Sequence, residues 1–319
     1  MIMKTLRSIF VLCVAFGLLS VSGKAQQSQP ETAQAVVHYK FSHLRDTTKR
    51  NDIYNENMIL FLGKNSSAYK SYDKKMADAL VRKQVQEQMA ANPNGPIKIM
   101  RGKGSGSSTE YYQFPVEGKL IRKEKLINSY LIEEPMAAID WKISSDTASF
   151  AGLHCQKATA HFRGRDYTAW FCPDLPFHSG PWKLNGLPGV ILEAYDAKKE
   201  VEFKFEGIED LSKTPKASPV ASADQQPAGG GHEIRLFDMD DEGDPNVIQL
   251  PSGGIKTTEK EFANLREAMK KDPDAFVHSA MGGSGGNMQF NRSGPKQDIK
   301  LKIGDGPVIN NPIELPEKK

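Results

Sequence analysis

Apolar and polar residues alternate with a period of two along much of the chain, and the clearest runs are VVHYKFSHL (36–44), IYNENMILFLG (53–63) and SAYKSY (67–72). A period of two puts alternate side chains on opposite faces, the signature of a half-buried strand. Further runs at 109–116, 119–134 and 139–150 read the same way, as do VILEAYD (190–196) and VEFKFEGI (201–208), which Ala-Lys-Lys-Glu joins as a hairpin. Between them the period changes. Met76, Leu80, Val81, Val85 and Met89 recur at helical spacing, with Asp73 as N-cap and Asn92-Pro93 as the stop. This predicts a helix over 73–91 that covers a sheet. A second helix is predicted over 259–271, where Thr258 and Glu261 form a capping box and Phe262, Leu265 and Met269 share a face.

No regular alternation of strand and helix occurs, so the fold class is mainly β (α+β), a curved antiparallel sheet with one or two covering helices. Composition then divides the chain. Residues 26–33 are polar and are expected to be disordered, and 34–211 form the β-rich core. Residues 212–232 are rich in Pro, Ala, Ser and Gly and cannot bury enough apolar surface to order themselves. Residues 233–319 complete the same domain, with a strand-like EIRLFDM and a mobile Gly-rich loop at 282–298.

Charge changes the picture at the N-terminus. Lys4 and Arg7 precede an apolar run from Ile9 to Leu19, and Gly23 and Ala25 are small residues before Gln26. The run is shorter than the roughly 20 residues needed to cross a bilayer. Residues 1–25 therefore read as a signal peptide cleaved after Ala25, which places the mature chain in the periplasm or outside the cell. The leader holds three of the 42 basic residues and no acid, so 39 basic residues remain against 39 acidic ones. A balanced chain gives no footprint for nucleic acid, and no second segment approaches transmembrane length.

Two cysteines remain after the leader, Cys155 and Cys172. If Arg163-Gly164 is a two-residue turn, HCQKATAHF (154–162) and RDYTAWFC (165–172) form a hairpin in which Phe162 faces Arg165 and Cys155 faces Cys172. The pair falls on a non-hydrogen-bonded rung, where the Cα separation of about 4.5 Å suits a disulfide. An oxidising compartment favours that bond. One hairpin face carries Lys157, Thr159 and His161 beside Trp170, Thr168 and Asp166, and the other is the packing face.

The segment GLHCQKATAHFRGRDYTAWFCPDLPFHSGPWKLNGLPGVILEAYD (152–196) closely resembles the signature of the GLPGLI family. Gly186, Leu187, Pro188, Gly189, Val190 and Ile191 stand for the naming motif, with Val where the name has Leu. The run Cys155–Ala158, the turn 162–165 and Gly180-Pro181 also fit, and Asn311-Pro312-Ile313-Glu314-Leu315 resembles the closing motif. The resemblance implies a secreted or periplasmic protein of Gram-negative envelopes with no assigned activity. It also implies an accessory role near outer-membrane TonB-dependent receptors.

Each candidate site has a structural counterpart. Leu187-Pro188-Gly189-Val190 fits a type II turn, whereas Leu175, Phe177, Trp182 and Leu187 lie in connecting sequence and must either plug the sheet or meet a partner. The partner reading makes Phe177, Trp182, Leu187 and Pro188 an exposed surface. His161–Asp166 could be read as an acid–base pair, but an ordinary cross-strand ion pair worth at most about 1 kcal/mol is the better reading, since no nucleophile or substrate pocket is indicated. His154, Cys155, His161 and His178 lack metal-ligand spacing. The glycine loop 101–108 lacks phosphate-loop spacing, and the acidic run 237–244 lacks the twelfth-position Glu of a calcium loop. The sequence thus assigns no catalytic residue, cofactor or metal. It favours a non-catalytic envelope binding protein, with a carrier of a lipid or other hydrophobic ligand second and an envelope hydrolase third.

Overall fold

The computed structural model describes residues 29–92, 98–100, 106–211, 246–282 and 308–317. The compact unit Glu31–Lys319 contains, in chain order, β1 Glu31–Thr32, β2 Ala35–His43, β3 Tyr54–Leu62, β4 Ser67–Ser71, α1 Tyr72–Ala91, β5 Glu110–Phe114, β6 Lys119–Lys125 and β7 Ser129–Pro135. There follow β8 Lys142–Phe150, β9 Leu153–Phe162, β10 Arg165–Cys172, β11 Val190–Asp196, β12 Val201–Asp210, β13 Val247–Ile248, β14 Ile255–Thr257, α2 Glu259–Lys271 and α3 Pro273–Gly282.

Among the described residues, twelve strands form one sheet in the order β14-β7-β6-β5-β4-β3-β2-β12-β11-β10-β9-β8, and β1 pairs with β13 in a separate ribbon. Two meanders build it. One runs outward from β2 to β7, and the other runs inward from β8 to β12, where β12 pairs with β2 along its whole length. Every pairing in the sheet is antiparallel except β14 with β7. The mainly β class with an antiparallel-rich sheet is therefore the observed one.

The short connection from Pro135 to Lys142 forces the sheet to curl. It reaches at most about 25 Å, yet β7 and β8 are ten strand spacings apart, about 48 Å if the sheet were flat. The sheet accordingly bends around a concave face without closing into a barrel. That face gathers Val37, Tyr39, Leu60 and Tyr69 from one meander with Phe162, Tyr167, Phe171, Leu192 and Phe203 from the other. The convex face of the first meander is buried too, under Ile248, Leu250 and Tyr72, against Ile59, Phe61, Tyr112 and Ile121. Burial on both faces accounts for the unbroken apolar run at the end of β3. Helix α2 docks Phe262 on Tyr130 and Ile132 of β7, with the capping box formed as expected.

Several expectations need correction. Ser71, not Asp73, caps α1, accepting from the Lys74 amide at 3.0 Å. Asp73 instead accepts from the Asn57 backbone and side chain on β3, both at 2.9 Å. Helix α1 buries only Val81 and Val85, while Met76 and Leu80 are more than half exposed, so it covers little of the sheet. The run 119–134 is two strands, because Leu126-Ile127-Asn128 turns with the Leu126 amide on the Asn128 carbonyl. The polar stretch 26–33 ends in β1, and Ala33 is buried. The segments 212–232 and 233–239 and nearly all of 282–298 lie outside the described residues.

The connection between β10 and β11 fills the concave face. Trp182, Leu184 and Leu187 are buried there, and the Gln113 side chain on β5 donates to the Trp182 and Leu184 carbonyls at 3.1 and 3.3 Å. The Gly189 amide bonds the Leu187 carbonyl at 2.8 Å, a three-residue turn over Pro188 rather than the expected type II turn. Gly189 has φ +148°, and a Cβ there would lie 2.1 Å from the Cys172 carbonyl oxygen. Gly186 has φ +88° in open space. Gly189→Ala is therefore expected to cost well above the roughly 1 kcal/mol of a strained φ alone, and Gly186→Ala about that amount. Equal losses in urea denaturation would show that the contact with Cys172 does not constrain the turn.

Candidate functional site

The hairpin forms in the expected register. Arg165 faces Phe162, Asp166 faces His161 and Trp170 faces Lys157, across a turn in which Arg163 and Gly164 have φ +51° and +73°. Positive φ at both central residues is the I′ geometry that matches strand twist. The packing face is as read: Ala158, Ala160, Phe162, Tyr167, Ala169 and Phe171 are all buried.

The expected disulfide is not formed. Cys155 and Cys172 are free thiols, both buried. Regular pairing of β9 with β10 runs as far as Gln156–Phe171, one rung short of the cysteines. The thiols still interact. Burial, and then the neighbouring Cys172, push the Cys155 thiol up to about 12, which keeps it protonated and unreactive.

The expected partner surface is also corrected. Trp182 and Leu187 belong to the core, Phe177 is half-buried against it, and of the four only Pro188 is exposed. The Trp182 ring stacks on Phe203 with centroids 6.4 Å apart and lies 5.7 Å from Phe162. Of the two fates open to these connecting apolar residues, plugging the sheet is the one realised. Val190 and Ile191 continue from the plug into β11, fully buried.

Sequence reading missed Arg165. Its position, two before Tyr167, puts it on the packing face, and a charge at packing-face parity was the available signal. It is buried and reaches Asp196 at 2.7 Å, Asn311 Oδ1 at 2.7 Å, and the Pro312 and Ile313 carbonyls at 2.8 and 3.0 Å. Asn311 in turn donates to the Leu44 carbonyl and to Glu200, and its own carbonyl meets the His43 ring at 2.8 Å. Residues 311–315 are thus held by a buried, fully partnered ionic cluster. Lys183, beside Trp182, ties the plug to Glu134 of β7 at 2.6 Å and to Glu314 at 2.8 Å.

His161 serves the same segment. One ring nitrogen meets Asp166 at 2.6 Å and the other meets Glu317 at 2.8 Å, while Glu317 also accepts from the Gly164 amide. Hydrogen bonding to Asp166 first, then to Glu317, raises the His161 pKa above its ordinary value near 6.5. Both carboxylates are exposed, and no nucleophile joins them among the described contacts. The arrangement positions the C-terminal segment. His154, Cys155, His161 and His178 do not converge, and no group of three His, Cys, Asp or Glu able to hold a metal occurs among the described residues. His178 bonds the Leu187 carbonyl at 3.1 Å. Most of the glycine loop 101–108 and the whole acidic run 237–244 lie outside the described residues.

Residues 163–193, from the hairpin turn through the plug to the start of β11, match a family described as "Protein of unknown function (Porph_ging)". No curated protein matches the chain. Among solved structures the chain is similar to PNGF-II in two crystal forms. In the P21 form the TM-score is 0.39 at 12% identity, covering 56% of this chain and 28% of that one. In the C2 form it is 0.37 at 10% identity, covering 55% and 27%. The chain thus spans little more than a quarter of the length of the PNGF-II chains it matches.

The His161 contacts make the C-terminal segment pH-dependent with a defined sign. A raised histidine pKa gives stabilisation that is present at low pH and lost as pH rises through the folded value. Glu317, held low first by His161, gives stabilisation lost as pH falls through its own folded value. Amide exchange at Leu315, corrected for intrinsic rates, should be slowest between these two titrations and accelerate on the alkaline side. His161→Gln should remove the alkaline acceleration. An unchanged pH profile in that variant would assign the docking to Arg165 alone.

Proposed function

We propose that the chain is a non-catalytic binding protein of the bacterial envelope, exported by the leader at 1–25, that pairs with an extended strand of a partner protein through β8. The observation carrying this reading is the state of β8. It is nine residues long, forms one edge of the sheet and is exposed along most of its length, with Ile143 47% exposed. An edge strand presents unpaired N–H and C=O groups that another strand can complete. The register shift between Ile143 and Thr147 leaves a regular stretch from Thr147 to Phe150 as the pairing template.

One further point supports it. The concave face, where a carrier of a hydrophobic ligand would need its cavity, is occupied by Trp182, Leu184 and Leu187. The class of partner follows the GLPGLI resemblance, an outer-membrane or periplasmic protein of a TonB-dependent receptor system.

A photo-crosslinking residue at Ser145, introduced in native cells, should give one adduct of fixed mass. Ile143→Lys should abolish it without lowering the melting midpoint, because a charge on an exposed edge blocks strand pairing while leaving the core intact. No adduct, or the same adduct from a control position at Lys199, would refute the edge as the binding site.

A further inference from the structure

The sheet-facing side of α1 carries the wrong residues for a cover. Lys74, Asp78, Val81, Arg82 and Val85 share one helical face by their spacing, and the two valines are its buried members. Met76 and Leu80 instead point to solvent. A helix that turns cations towards the body and apolar residues outward leaves a polar cleft beneath it. That cleft lies between α1 and the convex face of β4 and β5, where Lys70, Lys74, Lys75 and Arg82 line it with Asp78 and Glu110.

Both carboxylates there are already neutralised. Asp78 pairs with Lys74 at 3.0 Å. Glu110 takes Lys123 at 2.7 Å and the Tyr112 hydroxyl at 2.5 Å, so Lys70, at 3.7 Å from it, is a second cation on a satisfied acid. Lys75 rests its ammonium 4.8 Å over the Phe61 ring. Arg82 has no ion-pair or hydrogen-bond partner among the described residues, although it is only partly exposed. With Lys74 paired to Asp78 and Lys123 to Glu110, Lys70 and Arg82 exceed the cleft's two carboxylates, and the one guanidinium has its donors free. Guanidinium donors in a fork match tetrahedral oxyanions, and clustered ammonium groups supply the charge.

We propose that this cleft is a binding site for a phosphate-type oxyanion, with Arg82 as the directing donor and Lys70 supplying charge. The shared chemistry covers a free phosphate and a phosphate-bearing lipid headgroup of the envelope. The site lies on the convex face, and it stands independently of strand pairing at β8.

The test uses the full chain and a Lys70→Gln/Arg82→Gln variant, after circular dichroism shows equal melting. Inorganic phosphate and pyrophosphate are titrated calorimetrically, and flotation is measured with phosphatidylcholine vesicles with and without phosphatidic acid. Saturable one-to-one binding of phosphate or pyrophosphate, weakened at least tenfold in the variant, supports a free-anion site. Flotation only with phosphatidic acid, lost in the variant, supports a headgroup site. Absence of saturable binding in every arm overturns the proposal, as does binding that the double substitution leaves unchanged.

Discussion

Insertion of the Trp182–Leu187 segment into the concave face is the contact on which the rest of the structure depends. A twelve-stranded sheet this curved leaves an apolar hollow, and among the described residues its two meanders pair strand to strand at β2–β12 alone. The plug fills that hollow and touches both halves. Trp182 packs on Phe203 and Phe162 of the inward meander, and Gln113 of the outward meander binds the plug's own carbonyls. The backbone of the plug must also pass directly over Cys172, which only glycine at 189 permits. Sequence, turn geometry and core packing thus converge on the stretch from Trp182 to Ile191.

The second organising element is ionic. Arg165, Asp196, Glu200 and Asn311 draw together the hairpin, the β11–β12 turn and the C-terminal segment. Burying charges is costly unless every group is partnered, and here the guanidinium is matched by a carboxylate, an amide oxygen and two carbonyls. Such a cluster defines one position for residues 311–315. Lys183 links it to the plug through Glu314, so the apolar filling and the ionic anchor hold each other in place. The surfaces left for binding are then peripheral ones, the β8 edge and the cleft under α1.

Much of the fold was legible because period-two patterning reports strands directly, and the hairpin register followed from counting outward from Arg163-Gly164. The β6–β7 turn was hidden because Leu126 and Ile127 are apolar and the turn rests on Asn128 alone. The disulfide expectation rested on one rung beyond the last regular pair, Gln156–Phe171, and a count within the hairpin does not show that the ladder stops there. Phe177, Trp182, Leu187 and Pro188 could be recognised as important but not placed, since a plug and an exposed patch share one composition and only the curvature of the sheet decides between them. The cleft under α1 was concealed by helical spacing. Met76 and Leu80 look like a core stripe until the valines alone are seen to face the sheet.

Equilibrium urea unfolding of Trp182→Ala tests the central claim most directly. If the plug holds the two meanders together, the substitution should remove about 3–5 kcal/mol, the loss expected for truncating a fully buried large aromatic, in a single cooperative transition. A variant with an unchanged midpoint and slope would contradict the account, because the indole would then contribute nothing to the joining of the sheet.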